Sequence, residues 1–241
     1  NVNDVGVIRL MMQQLVAALT SIVDRHDPYC AEHSMRTALV ATAVGRELEL
    51  PAAALERLDM AARLANLGKI FLPRELLTKA ETLSADEQKQ VQSHVQLTLD
   101  VLRDIDFDGP VLDIVAQKNE YLDGSGYPDR LAGDAISPMA LMAAICDVYD
   151  AITADRCYHK GMPAAEALRK MWEWSSAHFD QKLLQAFMRC VGIYPVGSLV
   201  RLESGRLGVV TEQNEANLLT PRLRVFFSTK ANGYIKPELV D

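Results

Sequence analysis

The stretch Glu120-Tyr121-Leu122-Asp123-Gly124-Ser125-Gly126-Tyr127-Pro128 decides which fold this sequence is assigned to. Its second half is rich in Asp, Gly, Ser and Pro, which predicts a loop that continues to Ser137. Apolar residues at helical spacing precede the loop, over about 111–121, and follow it, over about 138–153. Such a loop between helices is usually only a turn, so its meaning depends on motifs elsewhere in the chain.

Helical patterns fill most of the chain on both sides of this loop. Apolar spacing predicts further helices over about 7–25, 31–49, 51–66, 84–102, 163–176 and 180–191. The helix from Ser84 opens with a capping box, Ser84-x-x-Glu87. After about residue 195 the pattern changes to short strands, over 199–202, 207–210 and 223–227. The sequence therefore predicts a mainly α fold with three parts: a connector helix (1–25), a helical domain (26–194) and a small β tail (195–241).

Composition excludes several classes of protein. The 241 residues are 49% hydrophobic, which permits a large core, and the net charge of −7 attracts neither nucleic acid nor an anionic membrane. Four scattered cysteines without a Cys-x-x-Cys pair indicate reduced thiols in a cytoplasmic protein. No uninterrupted apolar run reaches about 18 residues, so no membrane span is expected. The chain begins at Asn1 without Met, which indicates a piece of a longer polypeptide.

The first predicted helix has two possible roles. Its apolar residues have helical spacing, and its position at the start of the chain suggests a connector to an upstream domain or a homodimer contact. It can equally be an ordinary first helix packed on the domain, and the sequence leaves both open.

Several motifs occur in a fixed order along the helical part. They are Glu32-His33-Ser34-x-Arg36, Leu67-Gly68-Lys69-Ile70-x-x-Pro73, Leu76-Leu77-x-Lys79, Leu83-x-x-x-Glu87, His94, Glu120-x-x-Asp123-Gly124-Ser125-Gly126-Tyr127-Pro128, Asp147-x-x-Asp150-Ala151-x-Thr153 and Arg156-x-Tyr158. Their order and spacing resemble the HD-GYP family, from about residue 24 to 191. The Tyr-Pro-Val-Gly start of the β tail resembles the tail that many such proteins carry. The resemblance implies an HD-superfamily helical bundle.

The resemblance also implies a chemistry, the hydrolysis of cyclic di-GMP by a cluster of two or three iron or manganese ions. Two adjacent metals activate a bridging water and stabilise charge on the phosphate. The family's ligand positions fall here on His33, Ala65, Asn66, His94, Lys118, Asn119 and Asp147. The resemblance therefore implies that His33, His94 and Asp147 are the surviving metal ligands.

Four of the seven ligand positions carry residues that bind metals poorly or not at all. Alanine at position 65 has no donor atom, and Asn66 offers one neutral oxygen. Lys118 and Asn119 replace two adjacent histidines of the family, and an ammonium group repels a dication. We therefore assign no catalytic role to positions 65, 66, 118 and 119. We expect no bound cofactor, and the resemblance implies iron or manganese if one is bound.

The surviving ligands and Lys118 each allow two interpretations. His33, His94 and Asp147 are either a two-His-one-carboxylate site for a single metal or relic polar residues hydrogen-bonded in the core. Lys118 is either a surface lysine or an internal cation that pairs with Asp147 or Glu120, because those carboxylates lost their metal counter-charge.

Several ligand-contacting positions of the family also persist. The resemblance places Lys69 and Arg156 on phosphate, and Lys160 is a third candidate for such an anion site. Asp150 and Tyr127 are further candidates, and the Gly-Tyr-Pro loop is expected to contact diguanylate cyclase (GGDEF) or other signalling domains. The alternative is that Lys69 lies at a helix C-terminus, Arg156 pairs with an acid and Tyr127 packs on its own turn.

Three functions remain open from the sequence. The first is a degenerate HD-GYP domain that acts as a regulatory or binding module, sensing cyclic di-GMP or holding a partner protein. The second is an active phosphodiesterase with an atypical metal site, and the third is a structural scaffold. Metal occupancy and turnover of the natural sequence discriminate among them.

Overall fold

Helices form most of the chain, and a small antiparallel sheet follows them. The structure, a computed structural model, describes residues 2–28, 32–105, 107, 109–155, 160–192, 194, 196–214 and 220–240. The helices are α1 (Val2–His26), α2 (His33–Glu47), α3 (Ala52–Leu64), α4 (Arg74–Leu77), α5 (Ala85–Gln92), α6 (His94–Leu102), α7 (Gly109–Gln117), α8 (Pro138–Thr153), α9 (Ala164–Trp174) and α10 (Gln181–Val191). The strands are β1 (Leu199–Arg201), β2 (Arg206–Glu212), β3 (Arg222–Ser228) and β4 (Gly233–Val240). The mainly α fold with a C-terminal β appendage is confirmed.

The predicted helix 84–102 is divided into α5 and α6. The capping box at its start is confirmed, because the Ser84 hydroxyl accepts the Glu87 N–H and the Glu87 carboxylate accepts the Ser84 N–H. The division falls at Ser93, whose hydroxyl donates to the Gln90 carbonyl at 2.6 Å and so competes with the helical backbone bonds. As a result His94 is the first residue of α6.

The predicted helix 51–66 is shorter than expected and leads into a tight 3-10 turn, Leu67–Phe71. Gly68 in this turn donates its N–H to the Thr98 hydroxyl of α6 at 2.8 Å. A Cβ at Gly68 would lie only 2.1 Å from the His94 carbonyl oxygen, so no other residue allows this approach. The glycine thus brings the stretch from Ala65 to Lys69 against the start of α6.

One continuous core holds the helical body together. Its fully buried members include Leu58 of α3, Ile114 of α7, Ile145 of α8 and Phe187 of α10. Each such side chain contributes about 1.5–3 kcal/mol by leaving water. Helix α8 is central to this core, and its C-terminal half carries Asp147 and Asp150 toward α2.

The β tail is an antiparallel meander in the order β1-β2-β3-β4 with its own small core around Val210, Leu223 and Val225. The sequence predicted three strands and missed β4. Lys236, Pro237 and Glu238 interrupt its apolar pattern. Pro237 is tolerated because β4 is an edge strand with an irregular register opposite β3.

Helix α1 bears on the expectation that the chain has no membrane span. By length and composition, its segment Gly6–His26 could cross a membrane, and it is the one such segment among the described residues. Of its most apolar stretch, 17% is buried in the protein. The expectation considered only uninterrupted apolar runs, whereas this helix reaches its mean hydropathy with polar residues interspersed. The division into 1–25, 26–194 and 195–241 stays a prediction.

Candidate functional site

Two surviving residues of the family's metal site face each other across α2 and α8. His33 is the first residue of α2, and Asp147 and Asp150 lie one turn apart on α8. The distance from His33 Nδ1 to Asp150 Oδ2 is 2.6 Å, and the distance from His33 Nε2 to Asp147 Oδ1 is 3.1 Å. Both ring nitrogens of His33 therefore contact carboxylate oxygens.

These contacts set the charges of the three groups. Burial lowers the pKa of His33, but Asp147 and Asp150 outweigh it, so the pKa is raised above its ordinary value. Burial raises the pKa of Asp147, yet Lys118 and His33 hold it well below its usual range. The pKa of Asp150 is likewise lowered by His33 and Arg36 against the effect of burial. A protonated His33 thus donates from both nitrogens to two carboxylates.

Lys118 supplies a second cation to Asp147. It follows the last residue of α7 directly, and its Nζ lies 2.8 Å from Asp147 Oδ1 while the residue is only 3% exposed. The expected pairing of Lys118 with a carboxylate is therefore confirmed, and the surface-lysine alternative is wrong. An ammonium group stands beside the carboxylate to which the resemblance assigned a metal.

Arg36 completes the group, and the sequence analysis gave it no role. It lies one turn after His33 on α2 and holds Asp150 in a bidentate pair, Nε to Oδ1 at 2.6 Å and Nη2 to Oδ2 at 2.9 Å. Its position three residues after His33 was the available signal. Both oxygens of Asp150, a predicted ligand contact, are thus engaged by protein groups. We call His33, Arg36, Lys118, Asp147 and Asp150 the ion-pair cluster.

His94, the third surviving ligand, has a different environment. Its Nδ1 lies 2.8 Å from the Val91 carbonyl, so this nitrogen carries the proton and Nε2 presents a lone pair. Nε2 is buried and has no hydrogen-bond partner in the part of the chain that the structure describes. Burial, then the charges of Lys69 and Lys118, lowers the pKa of His94 to about 3. His94 is therefore neutral, with a free acceptor.

Asn119 and Tyr127 lie near His94. The Tyr127 hydroxyl donates to Asn119 Oδ1 at 3.2 Å, and its ring packs edge-on to that of His94 with 6.4 Å between centroids. Asn119 Nδ2 is also buried without a hydrogen-bond partner among the described residues. Lys69 and Tyr127 line an adjoining cavity of about 570 Å³, where Lys69 Nζ lies 3.5 Å from Asp27 Oδ2. We call His94, Asn119, Tyr127 and Lys69 the His94 pocket.

Glu120 holds the Gly-Tyr-Pro loop in place. Its Oε1 accepts the Asp129 N–H at 2.7 Å and its Oε2 accepts the Leu131 N–H at 3.1 Å, while burial raises its pKa. The possibility that Glu120 pairs with Lys118 is thus not realised. A Cβ at Gly126 would lie 2.5 Å from Glu120 Cα, so the loop passes over Glu120 only with glycine there.

The side chains as placed do not fit a two-metal cluster. His33 uses both nitrogens and Asp147 Oδ1 meets an ammonium, while Ala65 and Asn66 are buried at the adjacent positions. Across the described ranges, no group of three or more His, Cys, Asp or Glu side chains is placed to hold a metal ion. His33, His94 and Asp147 are therefore not placed to hold a single metal together. Of His33 and His94, it is His94 that keeps the tautomer of a metal ligand, with its other nitrogen on a carbonyl.

Two further predicted contacts are Lys160 and Arg156. Lys160 is exposed between α8 and α9, and Arg156 lies outside the described residues. The anion site predicted from Lys69, Arg156 and Lys160 therefore stays a prediction. Asp27, the partner of Lys69, lies after α1 and was not part of any motif.

Comparison with known proteins identifies the family. A family model described as an HD domain matches residues 17–183. This chain belongs to the HD domain family. The resemblance to HD-GYP proteins is also confirmed, since a cyclic di-GMP phosphodiesterase of Pseudomonas aeruginosa is 45% identical to this HD domain over 227 residues. That alignment covers 93% of this chain and 55% of the relative.

Other relatives and solved structures agree. A 3'3'-cGAMP-specific phosphodiesterase of Vibrio cholerae is 31% identical over 184 residues, covering 76% of this chain and 40% of the relative. An HDG"Y"P protein from Bdellovibrio bacteriovorus superposes with a TM-score of 0.55 at 20% identity, covering 65% of this chain and 50% of that one. This HD domain thus spans about half the length of the curated relatives it matches.

Proposed function

We propose that this HD domain is a regulatory module of cyclic-dinucleotide signalling within a longer cytoplasmic protein, and that it lacks the metal-dependent hydrolysis of its relatives. Its ligand is a cyclic dinucleotide, cyclic di-GMP first, and its Gly-Tyr-Pro loop serves as a surface for signalling partners such as GGDEF domains. Support for the ligand class comes from the relatives, which are phosphodiesterases of cyclic di-GMP or 3'3'-cGAMP.

One observation carries the loss of hydrolysis: the Lys118 ammonium lies 2.8 Å from Asp147 Oδ1, inside the ion-pair cluster. An ammonium can neutralise a carboxylate, but it has no lone pair and cannot bind or activate a water as a metal does. His33 contacts Asp147 and Asp150 through its two ring nitrogens, so its ring has no free nitrogen to act as a base. The cluster thus contains its own counter-charges and no activated nucleophile.

The His94 pocket supports binding of an anionic ligand. The Lys69 ammonium lines a cavity of about 570 Å³ together with Tyr127, and charge-assisted contacts to phosphate require only donors. The cavity volume is within the range of small-molecule sites. Binding without turnover is therefore the behaviour that this arrangement supports best.

An anaerobic titration with Fe(II) and Mn(II), followed by a turnover assay with cyclic di-GMP and 3'3'-cGAMP, tests the proposal. We expect no tightly bound metal near micromolar concentration and no hydrolysis, with the P. aeruginosa relative as positive control. One or two tight metals with turnover would instead establish an active phosphodiesterase with an atypical site.

A calorimetric titration with cyclic di-GMP tests the ligand. We expect the Lys69→Met variant to bind at least about tenfold more weakly, since a charge-assisted bond contributes about 1.5–3 kcal/mol. Lys182→Met, at an exposed lysine of α10, is the control and should bind like the native chain. Absence of binding by the native chain would leave a scaffold as the function.

A further inference from the structure

Helix α1 has one face that is packed on the helical body. Val16, Thr20 and Val23 are buried on this face, which meets α3 and the 3-10 turn Leu67–Phe71. Two polar contacts flank this face: Arg9 pairs with Glu56 of α3, and His26 Nε2 lies 2.8 Å from the Leu72 carbonyl. The helix is thus held against the body between Arg9 and His26.

A second apolar face of α1 is exposed. It consists of Ile8, Met11, Leu15, Ala18 and Ile22, of which the four large residues are 52–63% exposed. Their spacing of 3, 4, 3 and 4 residues is the a and d pattern of a coiled coil. At about 100° per residue these side chains form one stripe, about 130° around the helix from the buried face. We call these five residues the α1 seam.

We propose that the α1 seam pairs with the α1 seam of a second copy of this chain, as a parallel two-stranded coiled coil. Isoleucine occupies two of the three a positions, Ile8 and Ile22, and β-branched residues at a favour parallel dimers. No seam residue is charged, so two copies meet without like-charge repulsion. The inference is independent of whether the domain binds or hydrolyses a nucleotide.

The size of the seam suits a dimer. Five side chains from each copy, four of them large and more than half exposed, bring together on the order of 1,000 Å² of surface, the amount that a specific interface needs. The seam from Ile8 to Ile22 is about 21 Å long, or two heptads. Two heptads alone would be marginal because helix nucleation is costly, but packing on the body already holds α1 helical.

The same contacts argue against lipid as the occupant. A helix inside a bilayer is surrounded by hydrocarbon, whereas α1 has its Val16 face on the body and an ion pair to Glu56. Gln14 and Ser21 are exposed on the side opposite the body and would be transferred into hydrocarbon as well. An apolar stripe bordered by such polar residues fits one partner helix better.

Sedimentation equilibrium of the native chain and two leucine variants tests the proposal. We expect the native chain at twice its 26.7 kDa mass. Leu15→Glu should raise the dimer dissociation constant by at least about tenfold, because each copy brings a carboxylate into the apolar seam. Leu10→Glu is the matched control, at a leucine that is 55% exposed on the same helix but about 120° from the seam. It should remain dimeric, and circular dichroism should show both variants folded, since both leucines are exposed.

Disulfide trapping tests the orientation. In a parallel pair each seam residue lies opposite the same residue of the second chain, so Ile22→Cys alone should form a covalent dimer under mild oxidation. An antiparallel pair would give it only when Ile8→Cys and Ile22→Cys chains are mixed. The native chain under the same oxidation controls for its four cysteines. A native monomer, equal dissociation of the Leu10→Glu and Leu15→Glu variants, or a monomer that partitions onto phosphatidylcholine vesicles would each overturn the proposal.

Discussion

The ion-pair cluster and the His94 pocket both contain residues that the resemblance assigned to a metal site, yet they differ in how their polar groups are satisfied. In the ion-pair cluster, Asp147 receives Lys118 and His33, and Asp150 receives Arg36 and His33. In the His94 pocket, His94 Nε2 and Asn119 Nδ2 are buried without hydrogen-bond partners among the described residues.

The difference follows from what each kind of buried group costs without a partner. Buried carboxylates are costly without counter-charge, and Lys118 supplies one to Asp147. A neutral imidazole and an amide are less costly to leave unsatisfied. We infer that the ion-pair cluster stabilises the fold, while the His94 pocket has the capacity to meet a ligand.

Removal of Lys118 should produce the largest effect. Lys118→Met leaves Asp147 buried with one cation fewer, and breaking a buried pair on one side costs about 3–5 kcal/mol of the free energy of unfolding. Urea denaturation followed by circular dichroism measures this loss. The double variant Lys118→Met/Asp147→Asn should recover more than half of it, because the unpaired charge is gone. A loss below about 1 kcal/mol, or strictly additive losses, would show that the cluster is not a structural unit.

The two buried histidines allow a direct comparison of the ion-pair cluster with the His94 pocket. His33 and His94 are each 3% exposed, and each can be replaced by leucine. His33→Leu removes two charge-assisted hydrogen bonds of about 1.5–3 kcal/mol each, and burial of the leucine offsets part of that loss, so the free energy of unfolding should fall by about 2–3 kcal/mol. His94→Leu loses the bond to Val91 but also removes an unsatisfied nitrogen, so its cost should be about 1 kcal/mol or less. Equal losses of stability for the two variants in thermal or urea unfolding would contradict the distinction between the ion-pair cluster and the His94 pocket.

Much of the fold was predictable, because helical spacing and a capping box depend on local sequence. The positions of helix ends were not, since Ser93 and Gly68 act through a side-chain bond and a close approach that only the packed structure shows. Strand β4 was missed because Pro237 weakens its pattern, and pairing with β3 compensates for that weakness.

Within the site, the resemblance led to Asp147 or Glu120 as the partner of Lys118, because a carboxylate without a metal needs another counter-charge, and Asp147 is the partner observed. The roles of Arg36 and Glu120 could not be predicted in the same way. Arg36 reaches Asp150 across 114 residues of sequence, and Glu120 is satisfied by two backbone N–H groups of the following loop. The spacing of Arg36 from His33 gives no indication that Asp150 is its partner, and the contact of Glu120 leaves no signal in residue spacing.

Glu120 provides the third test and asks whether the Gly-Tyr-Pro loop belongs with the ion-pair cluster or with the His94 pocket. Glu120→Gln keeps one acceptor oxygen but turns an amide group toward a backbone N–H, either of Asp129 or of Leu131. Since hydrogen bonds to a charged acceptor contribute about 1.5–3 kcal/mol each and one bond survives, we expect a loss of about 1–2 kcal/mol.

Hydrogen exchange measures where that loss falls. The amides of Asp129 and Leu131 should exchange faster in Glu120→Gln, while amides of α8 keep their protection. Glu75→Gln, at an exposed glutamate of α4, is the control and should change neither stability nor exchange. Faster exchange confined to the loop would place the loop with the His94 pocket. A matching loss of protection in α8 would mean that Glu120 supports the ion-pair cluster itself.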